Sequence, residues 1–384
     1  MKRKTIGLVM TASPHTGGVF QYENLLAEAL WNNRDKYNFV VICNESYWIN
    51  WCIERNIKFV EEKIEIYRKI KLDMALNHPF VNILYQNFIS NKGKLIQREN
   101  IDLLIYGQQG TFIPNLLIKQ LCPVHDLMHR YETTFPERGK SDDDKLFQGS
   151  IKYASAVLVD SNLGKTQVIE SYLSKKKHRP LIQVLPYTVS RHIKESEEEY
   201  IAVPDKYVFY PAQFWQHKNH LNLLRAVNLL KETLPDIHLV LVGSEKNALG
   251  RVETYIRENS LEEFVTIYGF VTNRQITYLY KHATLMVMPS YYGPTNIPPL
   301  EAMALGCPVA VSGNYAMGEQ VGDAGLLFNP DSPGEIAECI RQVWTDGGLR
   351  ETMRQKGYRR TARWQPEDFE RVLIQTIDAV LEKG

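Results

Sequence analysis

The sequence predicts an α/β protein made of two doubly wound parallel-sheet domains in tandem. Three observations predict it. Short Val- and Ile-rich runs alternate with segments of helical period along almost the whole chain. The runs are continuously apolar, as strands covered on both faces of a parallel sheet are. With 384 residues the chain is too long for one ordinary hydrophobic core and comfortable as two.

In chain order, the strands expected in the first half are Ile6–Met10, Phe39–Cys43, Ile101–Tyr106, Val124–Leu127, Ala156–Val159 and Gln183–Leu185. Those in the second half are Tyr207–Tyr210, His238–Val242, Val265–Tyr268, Leu285–Met288 and Val309–Val311. The polar stretch Ser190–Asp205, with its acidic run Glu195–Glu199, interrupts the alternation and reads as a linker. The expected division is therefore a Rossmann-like domain over 1–190, a linker over 191–205 and a second Rossmann-like domain over 206–365. Sheets of this kind bind ligands at the carboxyl ends of their strands, so two such domains are expected to face each other across a cleft. The terminal segment has helical period through Phe369, Val372, Leu373, Ile377 and Val380, and a helix over 366–382 is expected to pack back on the first domain. Residues 61–98 depart from the pattern, with Ile64, Ile66, Tyr67, Ile70 and Leu72 interleaved among Lys63, Arg68, Lys69 and Lys71. This reads as a helix with one apolar face on the core; an amphipathic contact with a membrane or acceptor is the alternative.

Composition narrows the class. Apolar residues make up 44% and charged residues 23%, with no disordered bias. No apolar run approaches the roughly 18 residues that cross a bilayer. The start, MKRKTIGLVMTASP, is basic, but its apolar part is too short for a signal sequence and reads as a first strand. Cys43, Cys52, Cys122, Cys307 and Cys339 are odd in number and widely spaced, which fits a reducing cytoplasm rather than a disulfide framework or zinc site. The net charge of +1 gives no footing for a nucleic-acid partner. Residues 1–190 hold 25 Lys+Arg against 19 Asp+Glu, the remainder 20 against 25. A mildly basic first half is compatible with peripheral contact at the inner face of an anionic membrane, and equally with ordinary surface scatter.

Four loops carry the candidate chemistry. Thr11–Gly18 ends in His15-Thr16-Gly17-Gly18-Val19 at the start of a helix, where glycine lets backbone amides approach an anion. It is not the G-x-G-x-x-G of a dinucleotide site. Ser161-Asn162-Leu163-Gly164-Lys165-Thr166 imitates a P-loop, but Val159 stands where the first glycine is required, so Ser161 is better read as a helix N-cap. Between Tyr210 and His220 the chain runs from strand to helix through Gln213, with Asn219 as expected N-cap and Lys218 beside the helix start, where it can neutralise a diphosphate. His217 and His220 lack a third metal ligand nearby, and no metal is expected. Finally, Met288 to Val311 reads strand, loop, helix, glycine stop, strand. Pro299 is the expected first helical residue, which puts Glu301 in the first turn as a carboxylate able to accept two ribose hydroxyls.

Taken in order, these parts resemble the retaining GT-B glycosyltransferases of family 4 over nearly the whole chain. The match runs through Gly17-Gly18-Val19, Val124-His125-Asp126-Leu127, Ser161 with Lys165, and His217-Lys218-Asn219-His220. It continues through Leu241-Val242-Gly243-Ser244, Tyr268-Gly269-Phe270-Val271, Pro289-Ser290 and Pro299-Leu300-Glu301-Ala302-Met303-Ala304. Gly306-Cys307-Pro308-Val309 and Gly325-Leu326-Leu327-Phe328-Asn329-Pro330 complete it. The resemblance implies a nucleotide-sugar donor held by Gly17, Gly18, Gln213, Lys218, Asn219 and Gly243. Gly269, Phe270 and Val271 would meet the base, Glu301 the ribose, and His125 the transferred sugar. His125, Lys218 and Glu301 are the expected catalytic set. The implied mechanism is front-face substitution, in which the leaving diphosphate helps deprotonate the acceptor.

Two positions depart from the family. An arginine usually stands five residues before the lysine, where this chain has Gln213, and a glutamate eight residues before Glu301, where it has Gly293. Pro294, Thr295, Asn296 and Ile297 are the residues left to contact the donor there. The function expected is retaining transfer of a hexose, mannose being one candidate, from a GDP- or UDP-sugar to a glycan or lipid-linked acceptor. A GT-B epimerase or phosphorylase, or a silent sugar-nucleotide-binding subunit, are the alternatives.

Overall fold

The computed structural model describes residues 3–61, 83–111, 113–132, 134–137, 142–174, 179–189, 191–293 and 295–382. The amphipathic run from Lys63 to Leu72, Ser190 and Pro294 lie outside the described residues. The chain divides into two compact units: Met1–Arg130 with Gly139–Pro186 and Glu367–Gly384, and Tyr131–Arg138 with Tyr187–Pro366.

The first unit is built on β1 (Thr5–Met10), β2 (Asn38–Cys43), β3 (Phe59–Glu61), β4 (Leu103–Tyr106), β5 (Lys119–Val124), β6 (Ala156–Val159) and β7 (Leu181–Val184). They form one sheet in the order β3-β2-β1-β4-β5-β6-β7, with every pairing parallel. All six residues of β1 and all four of β4 and β6 are buried, the two-sided burial that their unbroken apolar sequence anticipates. The Pro366–Glu382 helix belongs to this unit. Phe369, 1% exposed, packs edge-on against Tyr22 with ring centroids 6.1 Å apart, and Asn32 and Asn33 each donate to the Glu370 carboxylate at 2.8 Å.

The second unit is built on β8 (Val208–Pro211), β9 (Leu239–Val242), β10 (Val265–Tyr268), β11 (Leu285–Met288), β12 (Val309–Ser312) and β13 (Gly325–Phe328). Their order is β10-β9-β8-β11-β12-β13, again all parallel. Its core joins β8, β9, β11 and β12 to Leu223, Val227, Ile336, Ile340 and Trp344 from helices. Each such aliphatic side chain contributes about 1.5–3 kcal/mol on burial.

Four sequence expectations are corrected here. The strand expected at Val124–Leu127 ends at Val124 and begins at Lys119. Pro123 hid it, but the ladder to β4 stops at Leu121, two residues earlier, so the missing N–H of Pro123 costs that ladder nothing. β7 starts two residues earlier than expected and ends one earlier, because Leu181 and Ile182 pair with Ala156 and Val157. Edge strands β3 and β13 were not expected at all; both are partly exposed and too short for a periodic signal. The expected linker contains a short helix, Arg191–Glu195.

Candidate functional site

In each sheet the strand order reverses once, and the loops leaving that point diverge and open a crevice at the carboxyl ends of the strands. In the second unit the reversal falls between β8 and β11, so the loops at 212–219 and 289–296 are the ones that can line it.

These loops are bonded to each other before any ligand is considered. The Tyr291 amide donates to the His217 carbonyl at 2.9 Å. Asn219, 6% exposed, donates its side-chain amide to the carbonyls of Pro289 at 3.0 Å and Pro330 at 2.8 Å. Asn219 does occupy the N-cap of the His220–Leu230 helix, but in the left-handed conformation and without a side-chain cap bond. It works as a clamp between three strand ends rather than as a cap, a correction to the sequence reading. Lys218 donates to Oδ1 of Asn296 at 3.4 Å. Asn296 in turn donates to the Gly293 carbonyl at 3.0 Å and exchanges backbone hydrogen bonds with the Gln320 amide at 3.0 and 2.7 Å. The loop bearing Thr295 and Asn296 is therefore fixed at its C-terminal end, and Asn296 is the N-cap of the Ile297–Ala304 helix.

That helix starts at Ile297, two residues before the expected Pro299. Pro298 and Pro299 lie in the first turn, where no intrahelical acceptor awaits an N–H, and burial of Ile297 offsets the bias against a helical residue before proline. Glu301 consequently falls beyond the first turn. Glu301 is 6% exposed, and its carboxylate accepts a hydrogen bond from the Tyr280 hydroxyl at 2.9 Å. Burial and the Glu301 carboxylate together hold the Tyr280 phenol far above its ordinary range, so it stays protonated and keeps the O–H that it donates to Glu301.

The electrostatics single out one cation in the His217–His220 segment. Burial, with Lys218 close by, pushes both His217 and His220 down to about 3, so both rings are neutral near pH 7. Gln213, standing in the arginine position, accepts from the Trp215 indole at 2.9 Å. Glu137, in the Tyr131–Arg138 segment of this unit, accepts from the Gln216 amide. Gly243 allows the β8 and β9 ends to touch: a Cβ there would lie 2.1 Å from the Ala212 carbonyl oxygen. At the end of β10, Gly269 and Phe270 are exposed, the Phe270 ring by 79%. Gly293 takes φ +116, where a side chain is strained, and its Cβ would meet the Asn296 amide at 2.6 Å.

In the first unit the reversal lies between β1 and β4. Gly17, at φ 67, ends a short turn and precedes the Gly18–Asn32 helix, with open space where a Cβ would point. Exposed amides at a helix start suit an anion. His125 is the first residue past β5, and its Nδ1 lies 3.0 and 3.1 Å from the Asp160 carboxylate oxygens. A carboxylate only accepts, so Nδ1 is the donor of this pair. Tyr22 packs edge-on against this ring at 4.5 Å. Ser161 accepts from the Gly164 amide at 3.0 Å, the N-cap expected in place of a P-loop.

Sequence reasoning missed Asp160, Tyr280 and Glu23. Asp160 had a signal, a charge at the carboxyl end of an apolar strand. Glu23 had one too, a carboxylate on the same helical stripe as Leu26, Ala27 and Leu30. Tyr280 had none, since a tyrosine on an amphipathic helix looks like core.

Residues 192–360 match the family "Glycosyl transferases group 1". The O-antigen chain mannosyltransferase B of Escherichia coli is 27% identical over 293 residues, covering 72% of this chain and 73% of that protein. A sucrose-phosphate synthase from Thermosynechococcus elongatus superposes with TM-score 0.74 at 18% identity, covering all of both chains. HepE of Anabaena, in complex with UDP and glucose, superposes with TM-score 0.70 at 16% identity over 98% of this chain and 100% of that one. These two likenesses establish the fold. Residues 192–360 match the glycosyl transferases group 1 family, and the chain has the GT-B fold.

Proposed function

We propose that the chain transfers a hexose, mannose foremost, from a GDP- or UDP-sugar to a glycan or lipid-linked acceptor with retention of anomeric configuration. The observation that carries this reading is the meeting of Lys218 and Asn296 at the start of the Ile297–Ala304 helix, with Glu301 buried on the same helix. One cation and a helix N-terminus suit a diphosphate, and a buried carboxylate suits ribose hydroxyls. The exposed Phe270 with Gly269 and Val271 offers a face for the base. The naming of the Escherichia coli relative as a mannosyltransferase supports the sugar, and the UDP in the Anabaena structure supports a nucleoside diphosphate.

The residues then divide the reaction. As the bond from the anomeric carbon to the phosphate oxygen breaks, negative charge grows on the leaving diphosphate, and Lys218 with the helix amides stabilises it in place of a metal ion. A phosphate oxygen takes the acceptor's proton while the acceptor oxygen bonds the same face of the anomeric carbon. Gly17 and Gly18 are assigned to the diphosphate and His125, oriented by Asp160, to the transferred sugar. Thr295, Asn296 and Ile297 are assigned to the sugar end that Gly293 leaves without a carboxylate.

For a lipid-linked acceptor the first unit offers exposed Leu84, Tyr85, Phe88 and Ile89 near Lys94, a surface suited to peripheral contact with anionic lipid. Among the described residues no helix is long and apolar enough to cross a membrane. The test is turnover of a panel of GDP- and UDP-sugars by the purified chain, with the anomeric configuration of the product read by NMR. Release of UDP or GDP with a retained product is expected. Binding of a nucleoside diphosphate without turnover of any donor would instead identify a silent binding subunit.

A further inference from the structure

We propose that the Glu23 carboxylate is a positioning residue: it sets the 11–18 loop and, through it, the amides at Gly17 and Gly18. Glu23 lies on the Gly18–Asn32 helix and is fully buried. Its Oε1 and Oε2 accept from the Thr11 amide at 2.9 and 3.1 Å, and Oε2 also accepts from the Ala12 amide at 3.0 Å. The Trp48 indole closes the arrangement by donating to the Ala12 carbonyl at 2.8 Å. The loop after β4 is shaped around the same group. A Cβ on Gly107 would lie 2.6 Å from the Glu23 Cγ and 2.8 Å from Oε1, while the Thr11 hydroxyl donates to the Gln108 side-chain carbonyl at 2.7 Å. Both loops at the β1/β4 reversal thus converge on one carboxylate. The core does not call for an acid there, because Leu26, Ala27 and Leu30 on the same stripe are apolar and fully packed. What requires it is the pair of loop amides.

This positioning depends on charge. An ionised carboxylate only accepts and matches the amides it faces; the protonated form turns an O–H toward an N–H and loses an acceptor. Burial outweighs the hydrogen bonds from Thr11 and Ala12 and pushes Glu23 up to about 7. Of the described groups packed against it, Thr11, Ala12, Trp48, Gly107 and Gln108 carry no charge. The Cys43 thiol at the end of β2 is pushed up to about 11, chiefly by burial, and stays neutral. The loop is therefore held above neutral pH and loosened below it, and donor affinity follows.

The inference rests on the assignment of Gly17 and Gly18 to the diphosphate, and the experiment separates the two. With the full chain, amide exchange at Thr11 and Ala12, corrected for intrinsic rates, and calorimetric affinity for UDP and GDP are measured at pH 6 and pH 8. A thermal melt checks folding. In the wild type, protection at both amides and affinity for the nucleotide that binds should fall together at pH 6, affinity by about tenfold, the scale of one lost charged hydrogen bond. Glu23→Gln should bind more weakly than wild type at pH 8 and keep only the weaker pH dependence that the nucleotide's own terminal phosphate, ionising at about pH 6, imposes on both proteins. Protection unchanged between pH 6 and pH 8, or a Gln variant that titrates like the wild type, overturns the positioning role. Protection that follows Glu23 while affinity stays constant overturns the donor assignment of Gly17 and Gly18 instead.

Discussion

The Lys218 ammonium donates to the side-chain carbonyl of Asn296 at 3.4 Å, joining the loop after β8 to the loop after β11. The contact is long and made to a neutral acceptor, so little stability depends on it, whereas a departing diphosphate would gain a charge-assisted bond. Lys218→Ala should therefore lower kcat/KM for the donor by about 10²–10³-fold, the range seen when one stabilising donor is removed, and change stability by less than about 1 kcal/mol. Steady-state kinetics beside a urea titration test both halves. An unchanged rate removes Lys218 from the site.

Gly293 invites the experiment of restoring the family's glutamate, and the backbone predicts that it fails. At φ +116 any side chain is strained, and the new Cβ would stand 2.6 Å from the amide of Asn296, which also bonds the Gly293 carbonyl. Gly293→Glu should destabilise the second unit by about 1–3 kcal/mol and should not raise turnover with any donor. A variant as stable as the wild type would mean that this loop can adopt another path.

Much of this was legible in the sequence because its signals are local. Two-sided burial wrote β1, β6, β11 and β12 as unbroken apolar runs, while glycines marked the 11–18 and 289–296 loops and a lysine at a helix start marked 212–219. The misreadings share one cause, namely that tertiary partners decided what local rules left open. Pro123 sits in a strand, paired with Leu158 of β6, because the ladder on the other side, to β4, has already ended at Leu121; the Ile297 helix begins before two prolines because Ile297 is buried, and Asn219 spends its amide on Pro289 and Pro330 rather than on a cap. The sequence singles out Glu301 but not its partner, since Tyr280 lies 21 residues away on another helix.

That partner makes a prediction of its own. Tyr280 is fully buried and its hydroxyl donates to Glu301, so Tyr280→Phe removes a donor from a buried carboxylate. A loss of about 1–3 kcal/mol is expected, along with a higher KM for the donor at nearly constant kcat, the pattern of lost uniform binding. Thermal unfolding and donor kinetics on the same preparation decide it. If KM holds while stability falls, the pair is structural and Glu301 is not meeting the ribose.

Glu23 makes the last prediction, one of stability against pH. Its folded value is raised to about 7 from an ordinary 4.5, so the folded state binds the proton more tightly than the unfolded chain does. Stability from this group is fully present below pH 4.5 and is lost as pH rises toward 7, by about 3 kcal/mol on the scale of 1.36 kcal/mol per unit. Glu99 and Asp144 have lowered values, so their losses come as pH falls below their ordinary range, outside this window. Measured as a difference, Glu23→Gln should gain on the wild type by about 3 kcal/mol between pH 4 and pH 8, read from urea midpoints. A difference constant with pH would show that Glu23 does not titrate there. The ionised form that grips Thr11 and Ala12 is thus the one the fold holds least easily, and a carboxylate kept there at that cost is better explained by the loop it orients than by the core it interrupts.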